Sequence, residues 1–225
     1  MRVCVIFRGQ NLREASGSRR YIDALMCWAN WKQSIIDDLK NNGDSVDTAF
    51  ITYDSPIINE IKEIINPIHL SCFPCISQRH NFIEVLNYIK ANETQYDRFV
   101  ILRCDVVYKN YITKWPKWDH RGFILVNKDV NYPSKRLYAD IMFIIDNNVI
   151  DKLPLIEDLI YYDNTIHNFG SALEEKNIDF ALMYEGYYHM DNHPIHGIAS
   201  INDMPSFDKP YLDDSICITD VSRWN

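Results

Sequence analysis

The chain predicts a single α/β domain built on a mainly parallel central sheet flanked by helices. Two observations carry this prediction. Short β-rich runs alternate with helical patterns through the first half, as right-handed βαβ units do. The 225 residues, 47% apolar and 24% charged, suit one hydrophobic core and lie far from the composition of disordered chains.

The elements follow in order. Residues 3–7, Val-Cys-Val-Ile-Phe, read as a buried first strand, and a polar loop runs from Arg8 to Arg19. Residues 21–42 read as a helix, with apolar positions at 22, 25, 29 and 36, flanked by 28, 31, 35 and 39, and Gly43 at a C-cap. Residues 46–52 form a second strand. Pro56 opens a helix with Ile57, Ile58, Ile61, Ile64 and Ile65 on one face, and Asn66-Pro67 stops it. Residues 68–76 are a third strand, and Phe82, Ile83, Val85, Leu86 and Ile89 mark a third amphipathic helix. Residues 99–102 are a continuous apolar strand of the kind found at a sheet centre. An aromatic stretch follows with Tyr111, Trp115 and Trp118, then strands at 123–126 and 137–145. Helices are expected at 149–162 and 165–176, Pro154 breaking the first, and a half-buried strand at 178–184. The last residues lack periodicity and are expected to wrap the domain as a tail.

Composition excludes several chemistries. The chain has seven glycines, and the closest pair, Gly9 and Gly17, is eight positions apart. A dinucleotide-binding G-x-G-x-x-G, a phosphate loop G-x-x-x-x-G-K-[ST] and a nucleophile elbow G-x-S-x-G all need closer spacing. A formal charge of −8, with basic residues scattered, argues against a nucleic-acid partner. Apolar runs are too short for a transmembrane segment or a signal peptide, so a cytoplasmic protein is expected, and six cysteines suit a reducing compartment. Cys72-Phe73-Pro74-Cys75 has redox spacing, but it ends an apolar run instead of opening a helix.

In an open parallel sheet the ligand crevice lies beyond the carboxyl ends of the strands. That rule selects Arg8 and Gly9 after the first strand, Tyr53 and Asp54 after the second, Arg103 and Asp105 after the central one, and Asp140. Arg103 and Asp105 are two positions apart, so an extended chain puts cation and carboxylate on one side. They are either a structural ion pair closing the strand or a pair that binds one polar ligand. Asp140 interrupts an apolar run, where an unpaired carboxylate is costly. It is a helix N-cap, a partner for Arg136, or a proton acceptor. Three histidines and an aspartate fall within residues 189–196, where Pro194 forbids a regular helix, so any metal site there is built from loops.

The strand at 3–7 with Arg8-Gly9-Gln10, the stretch Val46-Asp47-Thr48-Ala49-Phe50-Ile51-Thr52-Tyr53, and Tyr96-Asp97-Arg98-Phe99-Val100-Ile101-Leu102-Arg103-Cys104-Asp105 together resemble glycosyltransferases of the GT-A, Rossmann-like fold that use nucleotide sugars. The likeness is greatest to small soluble ones encoded by large DNA viruses of algae, and it spans about residues 1–200. It implies a nucleotide-sugar-binding half at 1–105, an acceptor half at 106–200 and a packed tail at 201–225. It also implies a UDP-sugar donor, a carbohydrate acceptor and, for a viral chain, a host cytoplasm.

In that family the strand-end motif is Asp-x-Asp, which holds a divalent metal on the donor diphosphate. Here Arg103 replaces the first Asp and Asp105 matches the second. The resemblance therefore implies Asp105 as a ligand of Mn²⁺ or Mg²⁺, with His189 or His193 completing the shell, and Arg103 on phosphate or sugar. It further implies that Arg8, Gly9, Tyr53 and Asp54 form the nucleoside edge, with Tyr53 stacking on the base. Asp140 takes the place of the acidic residue that accepts the acceptor hydroxyl's proton. Two other readings of the same residues are a non-catalytic nucleotide- or sugar-binding module and a nucleotidyltransferase.

Overall fold

A computed structural model describes residues 1–13, 22–74, 77–108, 110–129, 137–153 and 166–184, with the short strands at 187–188 and 218–220. β1 (Arg2–Gly9) extends the strand expected at 3–7 at both ends. β2 (Leu12–Arg13) and β3 (Ile22–Asp23) pair antiparallel beyond it. The first helix starts later than its apolar pattern, because Asp23 caps it by accepting from the Leu25 N–H at 2.9 Å. It runs as α1 (Ala24–Trp31), a π-helical stretch (Lys32–Asp37) and α2 (Asp38–Asn41). At its end the Gly43 N–H reaches the Lys40 carbonyl and the Asp44 N–H the Leu39 carbonyl, each at 3.0 Å, the two bonds of a Schellman cap.

The predicted alternation continues through β4 (Ser45–Tyr53), α3 (Ile58–Ile65), β5 (His69–Phe73), α4 (Gln78–Ala91) and β6 (Arg98–Arg103). Asn66 in the left-handed conformation, before Pro67, ends α3. Ser77 Oγ caps α4 by accepting from the His80 N–H at 3.1 Å. Then come β7 (Val106–Tyr108), β8 (Phe123–Leu125), β9 (Lys128–Asp129), β10 (Met142–Asp146), α5 (Phe169–Glu175), β11 (Phe180–Leu182), β12 (Tyr187–Tyr188) and β13 (Ile218–Asp220). β13 pairs antiparallel with β7, and β12 pairs with β9.

Two expectations need correction. The strand read at 137–145 is confined to β10, and residues 137–141 run along the sheet edge, where Tyr138 makes one bridge to Lys128. The polar Asp140 divides that run, and arginines bind it in place of a ladder neighbour. Of the helix read at 149–162 the described part is a 3₁₀ stretch at Asn147–Lys152, whereas the helix read at 165–176 is present as α5, led in by a 3₁₀ turn at Ile166–Asn168. Asn147, Asn148 and Asp151 disfavour an α-helix at the first, since their side chains compete for backbone groups.

Seven strands form one sheet in the order β5-β4-β1-β6-β10-β8-β11. Numbered by their succession in the chain, these are 3-2-1-4-6-5-7, and only β10 runs against the others. The strands alternate their side chains. Val3, Val5, Phe7, Val100 and Leu102 face a layer containing α1, α2 and α3, whereas Cys4, Ile6, Phe99 and Ile101 face α4 and α5. Among the described residues no helix is long and apolar enough to cross a membrane.

At the amino-terminal end of β6 a buried ion pair ties two strands together. Arg98 donates from Nε and Nη2 to Asp146 at 2.6 and 2.9 Å, and to the Trp118 and His120 carbonyls at 2.5 and 2.6 Å. Its guanidinium lies 4.7 Å from the Trp118 ring centroid, and the Gly122 N–H also donates to Asp146. Asp146→Ala strands that guanidinium in the core. The expected loss is about 3–5 kcal/mol of unfolding free energy, read from urea denaturation.

Candidate functional site

The strand order reverses between β1 and β6, the place where open α/β sheets form their crevice. The pairing register sets Arg8 directly beside Arg103 there, and both fall on the α4 and α5 face by the strand alternation. Because β10 runs antiparallel, the segment preceding it arrives at the same edge and delivers Asp140.

Asp140 sits with both arginines. Arg103 Nη1 donates to Asp140 Oδ1 at 3.0 Å, and Arg8 Nη2 donates to the Asp140 backbone carbonyl and stands 3.8 Å from Oδ2. Arg103 also forks Asp105, with Nε donating to Oδ1 at 2.7 Å and Nη2 to Oδ2. Arg8 is buried, with its guanidinium 5.5 and 5.7 Å from the Phe82 and Phe143 ring centroids. Arg103 keeps 16% of its side-chain exposure and His167 keeps 23%, so these two carry the cluster toward solvent.

The electrostatics follow from burial. Desolvation lowers the Arg8 guanidinium from its ordinary value against the pull of Asp140. Burial alone would raise the Asp140 carboxyl, but Arg103, His167 and Arg8 outweigh it and hold the group well below the usual carboxylate range. Asp140 is therefore a fixed anion.

His167 belongs to the cluster although nothing in its sequence context marks it as a site residue. Its Nε2 is 3.9 Å from Asp140 Oδ1, and its Nδ1 is 2.9 Å from the Tyr138 carbonyl. The Tyr138 N–H in turn donates to the His167 carbonyl at 2.9 Å, and the Tyr138 hydroxyl donates to Glu174. These bonds strap the Asp140 segment to α5. Gly170 makes the strap fit, since a Cβ there would lie 2.7 Å from Tyr138 Cε2 and closer to two other ring carbons.

The nucleoside-edge residues fare unevenly. Gly9 ends β1 with φ 94, a conformation that favours glycine, and its carbonyl accepts from Thr52 Oγ1 at 2.7 Å. Asp54 is exposed at the end of β4. Tyr53 is corrected: it is 5% exposed, its ring packs edge-on against Phe73, and its hydroxyl donates to the Ser77 carbonyl. Such a ring offers no face to a base. Asn11 does more at this edge, with Nδ2 donating to Thr52 Oγ1 and the Tyr53 carbonyl and its own carbonyl holding the Ala24 N–H.

A divalent cation on Asp105 does not fit this arrangement. Both Asp105 oxygens accept from Arg103, whose positive charge occupies the space beside them. Among the described residues no three His, Cys, Asp or Glu side chains converge as a metal set, and His189 and His193 lie outside those residues. Arg136, the other partner considered for Asp140, lies outside them as well. Burial pushes the Cys72 thiol up, the reverse of what a redox cysteine needs.

The sheet order, with its one antiparallel strand and helices on both faces, defines an open, mainly parallel α/β fold. No protein-family model matches the chain, and no curated protein does. Solved structures do match. A Bacillus anthracis protein assigned as a glucose-1-phosphate thymidylyltransferase superposes with a TM-score of 0.52 at 9% identity, over 83% of this chain and 87% of its own. A glycosyltransferase involved in glycosylation of the major capsid of PBCV-1 gives 0.49 at 9% identity, over 100% and 95%. A Desulfovibrio desulfuricans protein assigned as a nucleotide-diphospho-sugar transferase gives 0.47 at 10%, over 82% and 81%. At such identities these are likenesses of fold, for which the Bacillus anthracis comparison alone exceeds 0.5.

Two outcomes follow from this geometry. Because the folded Asp140 carboxyl is depressed, its stabilisation is complete above its unfolded value, about pH 4. That stabilisation drains away as pH falls from there toward the folded value. Asp140→Asn should flatten this acid limb of stability, followed by urea denaturation across the acidic range. Gly170→Ala should cost about 1–3 kcal/mol by overpacking against Tyr138, seen as a lowered melting temperature.

Proposed function

We propose that the protein is a glycosyltransferase that moves a sugar from a UDP-sugar to a carbohydrate hydroxyl. One observation supports this most: a partly exposed arginine, braced by two buried carboxylates, stands at the switch point of the sheet beside the end of β1. A guanidinium fixed there is preorganised for the charge that develops on a departing nucleoside diphosphate. The coarser statement, a transferase of the nucleotide-sugar kind, agrees with the Bacillus anthracis protein of like fold, assigned as a glucose-1-phosphate thymidylyltransferase.

In this reading the donor diphosphate lies over Arg103, and the loop after β1 and the turn after β4 hold the nucleoside. Asn11 and Thr52 fix the spacing of those two segments. The acceptor oxygen attacks the anomeric carbon, and the bond to the diphosphate breaks with its electron pair going to phosphate oxygen. Arg103 neutralises that charge. Asp105 and Asp140 hold Arg103 in place, Arg8 anchors the Asp140 segment, and Arg8 and Asp140 do not themselves meet the donor.

A second reading, nucleotidyl transfer, is favoured by one feature: an arginine stands where a metal-binding carboxylate was expected, and arginine recognises phosphate groups in general. The products separate the two. Turnover of UDP-hexoses should release UDP. Incubation with UTP and sugar 1-phosphates should release no pyrophosphate, and its release would make the protein a nucleotidyltransferase. UDP should raise the melting temperature by several degrees at saturating concentration, in EDTA as well as in Mn²⁺. Arg103→Lys keeps the charge but loses the fork, and should lower turnover by about 10²–10³.

A further inference from the structure

The residue read as the proton acceptor, Asp140, is poorly suited to that task. Arg103 donates to one of its oxygens at 3.0 Å, and Arg8 approaches the other at 3.8 Å in a buried setting. A carboxylate stabilised in this way is a weak base, and general bases work best when their conjugate acids titrate near the operating pH. The neighbouring imidazole meets that condition by its chemistry.

Its tautomer can be deduced. A backbone carbonyl oxygen only accepts hydrogen bonds, so the 2.9 Å contact between His167 Nδ1 and the Tyr138 carbonyl places the proton on Nδ1. The neutral ring then carries its lone pair on Nε2, the atom 3.9 Å from Asp140 Oδ1. An oxygen at hydrogen-bond distance from Nε2 can lie within the same distance of Asp140 at that separation, and the His167 side chain keeps 23% exposure.

We propose that His167 is the general base for the acceptor hydroxyl and that Asp140 is its positioning residue, stabilising the imidazolium that forms. This rests on the glycosyl-transfer reading above. The hydroxyl proton passes to Nε2, the oxygen forms the new bond to the anomeric carbon, and the sugar–phosphate bond breaks with its electron pair leaving on the nucleoside diphosphate. The imidazolium returns its proton to water once products depart. The arrangement follows the logic by which a buried aspartate orients and stabilises a catalytic histidine. Here the tautomer is set by the Tyr138 carbonyl instead.

Among the described residues, the charged and titratable groups of this cluster are Asp140, Arg103 and Arg8 from the strand ends, with Asp105 behind Arg103, and Tyr138 with Glu174 from the strap. α4 packs on residues 166–168 and carries Arg79, His80 and Glu84.

The test is the pH dependence of UDP release from UDP-hexoses, with a carbohydrate acceptor or with water as acceptor. Wild type should lose rate as pH falls through the imidazole range. His167→Ala should be about 10²–10⁴ slower, lack that acid limb, keep its UDP-induced melting shift and recover rate on adding imidazole. If His167→Ala folds poorly, His167→Gln carries the same comparison, since its amide can still donate to the Tyr138 carbonyl. ¹⁵N spectra of the ring should show the Nδ1–H tautomer at alkaline pH. A wild-type rate and unchanged acid limb in either variant, or an Nε2–H ring, overturns the proposal and leaves the glycosyl-transfer reading standing. A wild type that releases no UDP from any UDP-hexose overturns both.

Discussion

Two guanidinium groups stand in register on neighbouring strands, on one face of the sheet, and everything else at this edge answers that fact. Two like charges brought close in a buried setting repel, and burial together with the neighbouring Arg103 lowers the Arg8 guanidinium from its ordinary value. Arg8 is buried and cannot turn away to water. Asp140 resolves the conflict by touching both, through its carboxylate to Arg103 and through its backbone carbonyl and the nearby Oδ2 to Arg8. Its position is thus a requirement of the fold before it is a property of any reaction.

The pair at the opposite end of β6 shows what a purely structural solution looks like. Arg98 spends its donors on Asp146 and two carbonyls, with a tryptophan ring against its guanidinium. At the switch point the match is incomplete: Arg8 Nε and Asp140 Oδ2 are buried without a hydrogen-bond partner among the described residues. A buried polar atom left in that state costs about 1–3 kcal/mol.

Much of this was legible in the sequence, for definite reasons. The apolar runs at 3–7, 46–52 and 99–102 could only be buried strands, and once they are adjacent the residues that follow them must share an edge. Arg103, Asp105 and Asp140 were visible as charges interrupting apolar runs. The role of Arg8 was half visible, since it continues the alternation of Cys4 and Ile6 and so points at the layer of α4 and α5. Tyr53 misled because position at a strand end says nothing about cover: it continues the alternation of Ala49 and Ile51, and the residue that caps α4, Ser77, closes over its hydroxyl. Asn81 left a signal that was easy to pass over, a polar residue four before Val85 on the apolar stripe of α4, where its side chain donates to the Ile51 carbonyl. His167 left none, because its contact with Asp140 spans 27 positions and depends on a 3₁₀ turn.

That contact is nevertheless made by a short and rigid device. Tyr138 and His167 exchange hydrogen bonds, main chain to main chain in one direction and imidazole to main chain in the other. The tyrosine ring packs closely on Gly170, and its hydroxyl is fastened one further turn along the helix to Glu174. Three of the four residues involved sit on one 3₁₀–α segment, and Asp140 lies two residues beyond Tyr138, where the arginines bind it. A glycine in a chain so poor in glycine is explained by that close approach, with no appeal to a turn. The carboxylate and the imidazole are each held by a hydrogen bond, one to Arg103 and one to the Tyr138 carbonyl, the kind of support that preorganised chemistry requires.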